Sequence, residues 1–212
     1  MELGEEGRPA TAEGIPGGFS AIYDVLRHLE ESGRIRRGYF VAGVGAMQFA
    51  QPGVLDLLRA LREPADAPEV LTLPATDPAN PYGALLEWPP VAGAPEGKRP
   101  SRAVGASVVL VDGELAAHVS RGARQLFAWL PEFEPERSRA GGAVARAVLD
   151  LVRAAHAREP AGLVAEIDGR PPDAHPLAAY LGAVGFVPTS AGLQLTRRSA
   201  AALAPLVEPD VH

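Results

Sequence analysis

The sequence predicts an α+β protein in two modules: a helix–hairpin–helix unit, then a small, mainly antiparallel sheet with two helices. Three observations carry that prediction. Apolar residues recur at helical spacing in 19–31, two β-rich runs separated by a glycine turn follow at once, and an Asp-Gly pair sits between strand-like runs at 103–119.

In the first module, Phe19, Ile22, Leu26 and Leu29 form one helical stripe, with Gly17 and Gly18 at its start and Gly33 at its end. Ile35 to Val41 and Ala46 to Ala50 are rich in residues that favour strands, and 42–45 supplies the turn between them. Pro52 suits the first turn of another helix, with Val54, Leu57, Leu58 and Leu61 as its stripe and Pro64 as its stop. A helix followed by a basic hairpin is the order found in winged-helix domains. Such a domain has two helices ahead of its recognition helix, and mostly polar residues precede Pro16, so residues 9–62 are expected to form a partial winged helix.

Glu63 to Pro68 is a linker, and residues 69–198 form the second module, with 1–8 and 199–212 expected as mobile tails. Its expected strands are Val70 to Leu73, Ala103 to Val111, Glu114 to Val119, Gln125 to Trp129 and Leu163 to Ile167, closed by a hairpin at Phe186–Val187 and Leu193 to Thr196. Its expected helices are Gly141 to Ala157, with Val144, Val148, Leu151 and Val152 on one face, and Pro176 to Ala183. Turn-rich segments occupy 75–83 and 89–102.

Composition excludes several classes. There is no cysteine, which removes disulfides, thiol nucleophiles and cysteine-bound metals. The histidines (His28, His118, His156, His175 and His212) form no H-x-x-x-H pair, so no metal site is expected. No run approaches the roughly 20 apolar residues of a membrane span, and the N-terminus lacks the pattern of a signal peptide, so a cytoplasmic protein without membrane contact is expected. A net charge of −6 argues against a nucleic-acid surface over the whole chain and leaves room for a local basic patch.

That patch is the hairpin Gly33-Arg34-Ile35-Arg36-Arg37-Gly38-Tyr39. Arginine grips phosphate bidentately and tyrosine offers a stacking face, so Arg34, Arg36, Arg37 and Tyr39 are the candidate nucleic-acid contacts. Ser20 and Arg27, on the polar face of the preceding helix with Tyr23 and Asp24, complete the set. Asp24, Glu30 and Glu31 weigh against groove reading by that helix and for backbone contact. The competing explanation for the basic cluster is an edge strand protected by charge.

Other motifs fail. Gly97-Lys98 would need Gly at 92 and Ser or Thr at 99 for a phosphate loop, and Ala92 and Arg99 stand there. No ATP or magnesium site is therefore expected in this chain. Asp77, Asp112 and Asp168 all lie in turns, where carboxylates cap backbone, and no catalytic residue is assigned. Gln48 and Gln51 suggest a glutamine pair for a base pocket, but fall on a strand and at a helix start.

The stretches GRIRRGYFVAGVGAMQFA at 33–50 and ATDPANPYG at 75–83 strongly resemble the C-terminal end of Lhr-type (large helicase-related) bacterial helicases, over about Ala12 to Arg198. The resemblance implies the last winged helix of an array and a terminal β-barrel-like module, acting on DNA or RNA in repair or processing. It also implies a helicase core, or preceding winged-helix modules, as partner in cis or in trans, with ATP and magnesium belonging to that core. That end of the family is similar to the DNA glycosylase AlkZ, and uracil-DNA glycosylase activity has been proposed for it, so a base-excision module is an alternative.

A second alternative is an acyltransferase. Residues 176–186 resemble the tail of GNAT acetyltransferases, and Arg139-Ala140-Gly141-Gly142-Ala143-Val144 falls one position short of their pyrophosphate loop. A third is a module that only mediates homo-oligomerisation.

Overall fold

In a computed structural model, residues 16, 18–42, 47–60, 66–156 and 162–195 are described. The chain divides into two units, Met1–Ala65 with Pro81–Pro89, and Asp66–Asn80 with Pro90–His212.

The first unit contains α1 (Gly18–Glu31), a ribbon of β1 (Arg36–Gly38) and β2 (Gln48–Ala50), and α2 (Val54–Ala60). Helix α1 ends where glycine was expected to end it. Gly33 adopts φ 74°, its N–H donates to Glu30 O at 2.9 Å, and Arg34 N–H donates to Leu29 O at 2.9 Å. That pair of bonds is the Schellman arrangement, which satisfies the last carbonyls of the helix and fixes the direction in which the ribbon leaves. The α2 stripe differs from expectation. Val54 and Leu55 are half-buried, whereas Leu57 and Leu58 are 57% and 38% exposed. Leu61 and Pro64 lie outside the described residues, as do 1–8 and 199–212, the two expected tails. Among the residues of this unit whose burial is described none is fully buried, those of α2 included.

The second unit holds a five-stranded sheet in the order β3 (Val70–Pro74), β4 (Ser107–Val111), β5 (Glu114–Val119), β6 (Gln125–Ala128) and β8 (Glu166–Ile167). A second sheet has the order β7 (Leu163–Val164), β10 (Gly192–Leu195) and β9 (Phe186–Thr189). All neighbours are antiparallel except β6 and β8. The class is α+β, as expected; the β-barrel-like module that the resemblance implies is here an open sheet, with β3 and β8 as its two edges.

Helix α3 (Glu136–His156) begins earlier than the periodicity suggested, because its first turn is polar. It buries Ala143, Val144, Ala147, Val148 and Val152 in one core with Val109, Ala117, Val119 and Leu126 of the sheet. Helix α4 (Leu177–Ala183) adds Leu177 and Leu181. Small residues bring α3 and α4 together: Gly141 is buried, and a Cβ there would lie 2.6 Å from the Tyr180 ring. On the other face, Val108, His118 and Phe127 form one cross-strand row. The opposite alternation is broken at Ala116, the extra residue where the β4–β5 register shifts.

Candidate nucleic-acid interface

The ribbon has three cross-strand pairs, Arg36 with Ala50, Arg37 with Phe49 and Gly38 with Gln48. Beyond Gly38 the ladder stops, and one side chain takes over. Gln48 Oε1 accepts the N–H groups of Phe40 (2.9 Å) and Val41 (2.8 Å), while its Nε2 donates to Val41 O (2.7 Å). Gln48 thus supplies from a side chain the bonds that a strand would supply from backbone. This accounts for Gln48 without a base pocket. Gln51 is exposed, and its carbonyl accepts Val54 N–H at the start of α2.

The four ribbon candidates are all exposed. Arg37 Nε lies 3.5 Å from Glu30 Oε1, joining β1 to α1. Arg34 and Arg36 have no carboxylate partner among the described residues. Tyr39 is 81% exposed. The two helix candidates differ. Ser20 is exposed in the first turn of α1, and Arg27 sits 3.8 Å from Asp24 and 3.9 Å from Glu31. The charge of Arg27 is balanced on its own helix, so among these candidates Arg34 and Arg36 are the cations with no carboxylate partner among the described residues.

In the second unit the candidate acids have structural work. Asp77 Oδ1 accepts Ala79 N–H at 2.8 Å, a turn bond. Asp112, at φ 51° in the hairpin turn, accepts Glu69 N–H at 2.9 Å and meets Arg139 Nε at 2.7 Å, and that guanidinium holds its carboxyl below the usual range. Asp168 is buried at φ 55°, with one oxygen taking Ala128 N–H at 2.9 Å and the other 3.0 Å from His175 Nε2. His175 Nδ1 accepts Leu177 N–H at 3.1 Å, so Nε2 carries the proton and donates to Asp168. With both ring nitrogens engaged, the pair fixes the start of α4.

Several other polar groups of this unit are similarly engaged. Lys98, from the failed phosphate loop, pairs with Glu166 at 2.9 Å. Arg139 lies inside α3 and also donates to Asp66 O and Ala67 O, which removes it from any pyrophosphate role. Arg102 donates to the carbonyls of Asn80, Thr76 and Asp77 and braces the 75–80 loop, in which Asn80 is buried and donates to Ala75 O. Burial lowers the pKa of His118, whose Nε2 lies 2.9 Å from Ser101 O.

Two surface cavities, of about 240 and 510 Å³, are present. The first is lined by Ser107, Ser120 and Arg121 with no carboxylate. The second has the single acid Asp150, which is ion-paired with Arg153 at 4.0 Å. Neither offers the paired acid and base that hydrolysis needs. No group of three or more metal-binding side chains occurs among the described residues, and no described helix is long and apolar enough to cross a membrane.

A family profile described as "Large helicase-related protein, winged-helix domain" matches residues 8–70. A protein of Mycolicibacterium smegmatis named "Lhr helicase/ probable uracil glycosylase" is 44% identical over 162 residues, 74% of this chain and 10% of that protein. An Escherichia coli K12 protein named "Lhr helicase/uracil glycosylase" is 35% identical over 187 residues, 86% of this chain and 11% of that protein. The chain therefore spans about a tenth of the length of these relatives.

Proposed function

Because the chain belongs to the Lhr-type, large helicase-related family as a counterpart of its C-terminal region, we propose that its ribbon grips the sugar–phosphate backbone of DNA or RNA for a helicase acting in repair. The observation that carries this reading is the pair Arg34 and Arg36, exposed on a braced ribbon with no carboxylate beside them among the described residues. Arg27 and Arg37 face carboxylates, Arg102 is held by carbonyls, and Arg139 is held by both.

In this reading the winged helix holds the strand, while ATP and magnesium are bound by a helicase core joined in cis or in trans. Contacts to phosphate release counterions, so binding weakens steeply with salt. The test is fluorescence anisotropy of labelled DNA and RNA against salt concentration, with Arg34→Ala/Arg36→Ala beside the parent chain. Binding that ignores both the salt and the substitutions defeats the reading.

Base excision is the second reading, favoured by the names of both relatives. It requires an acid placed to activate water in a pocket. The turn aspartates Asp77, Asp112 and Asp168 are each hydrogen-bonded into the fold, which favours grip over chemistry for this segment.

A further inference from the structure

We propose that Tyr39 is a stacking platform for an unpaired base, so that the ribbon's ligand is a strand with open base faces and not an uninterrupted duplex. The inference rests on the reading of the ribbon as a nucleic-acid contact and deepens it.

Three successive side chains show the pattern. Tyr39 is 81% exposed, Phe40 is half-buried, and Val41 is 49% exposed. Phe40 lies over the glycine beside it: a Cβ on Gly38 would meet the Phe40 ring at 3.0 Å. The chain therefore packs one aromatic ring of this pair and leaves the other in water. A tyrosine carries a large apolar ring, and leaving it in water forgoes the gain from burial.

The backbone that presents Tyr39 is held on both sides. Before it, the ladder closes at Gly38 with Gln48, and after it the Gln48 amide holds Phe40 N–H, Val41 N–H and Val41 O. A ring on such a support is presented without the ordering cost that a floppy loop would incur. Arg34 and Arg36 precede it in the chain, exposed and without carboxylate partners among the described residues, so positive charge lies on the same short segment as the ring.

The chemistry then selects the ligand. Inside a duplex each base face is covered by its neighbours, and only edges and backbone are open. A phenol ring gains there no more than one hydrogen bond. In a single strand, gap or frayed end the face is open, and stacking on an aromatic side chain is strong and indifferent to sequence.

The test uses the full chain, a labelled single-stranded 20-mer of mixed sequence, and the blunt duplex of the same sequence, at one low salt concentration. Tyr39→Ala is expected to weaken single-strand binding by about tenfold, the effect of losing one stacked base, and to leave duplex binding within about twofold. Tyr39→Phe, which keeps the ring and loses the hydroxyl, is expected to retain single-strand affinity. Equal loss on both ligands, loss with Phe as with Ala, or no loss with Ala overturns the inference. If Arg34→Ala/Arg36→Ala still weakens both ligands in that case, the backbone-grip reading stands without it. If that double variant changes neither ligand, the underlying reading falls as well.

Discussion

Arg139 Nε lies 2.7 Å from Asp112 Oδ2, with Arg139 Nη2 3.1 Å from the other carboxylate oxygen, a two-point pairing of helix α3 with the turn of the β4–β5 hairpin. The same guanidinium donates to Asp66 O and Ala67 O, and Asp112 accepts Glu69 N–H, so one pair gathers the helix, the hairpin and the approach to β3. Arg139→Ala and Asp112→Ala are each expected to lower Tm by a few degrees. The double variant should fall little further, because both substitutions remove one interaction. The hydrogen bonds from Arg139 hold the Asp112 carboxyl below its usual value of 3.8, so this contribution is full above that value and is lost as pH falls through the lowered one. Urea melts at several pH values, comparing the parent with Arg139→Ala, read that loss directly.

His118 gives a second pH dependence with its own window. Its burial beside Phe127 lowers its pKa from 6.5, so the unfolded chain takes up the proton first. Stability is therefore expected to fall as pH drops below about 6.5 and onward through the lowered value. His118→Gln, which keeps a donor for Ser101 O, should flatten that slope. An unchanged slope in this variant would show that the proton is taken up elsewhere.

For the ribbon, removing Arg34 or Arg36 is expected to reduce the slope of log affinity against log salt by about 1 each on duplex DNA. Arg37→Ala should do less, since Glu30 already faces it at 3.5 Å. Glu30→Gln is expected to act in the opposite direction, releasing Arg37 and strengthening binding. Anisotropy titrations across salt concentrations distinguish these cases.

Gln48→Leu removes the amide that holds Phe40 N–H and Val41 N–H. Each such bond is worth about 1 kcal/mol net, so those two amides are expected to exchange about fivefold faster in hydrogen–deuterium measurements. Amides of α3 should be unaffected, because the second unit does not contain this bond.

Gly141→Ala sets helix propensity against packing. Alanine gains about 1 kcal/mol over glycine inside a helix, but its Cβ would stand 2.6 Å from the Tyr180 ring. Overpacking costs about 1–3 kcal/mol, so the variant is expected to be less stable on balance. Adding Tyr180→Leu should recover part of the loss in a denaturant melt.

The sequence determined what depends on neighbouring residues. The stripe Ile22, Leu26 and Leu29 with Gly33 behind it set helix α1 and its end, and Asp112-Gly113 set the hairpin, because helical spacing and left-handed turn residues act over a few positions. The ribbon and its exposed arginines were legible for the same reason. Tertiary structure decided the rest. The run from Leu163 to Ile167 reads as one strand, yet β7 pairs with β10 and β8 with β6, and the chain changes sheets at Ala165, where Arg124 O takes the N–H groups of Ala165 and Glu166. Partners 29 to 41 residues away made that choice, and no local pattern carries them. Gln48 likewise looked like any polar residue on a strand until folding set it against the open end of the ladder, and Arg139 became a strut only once Asp112 stood within reach.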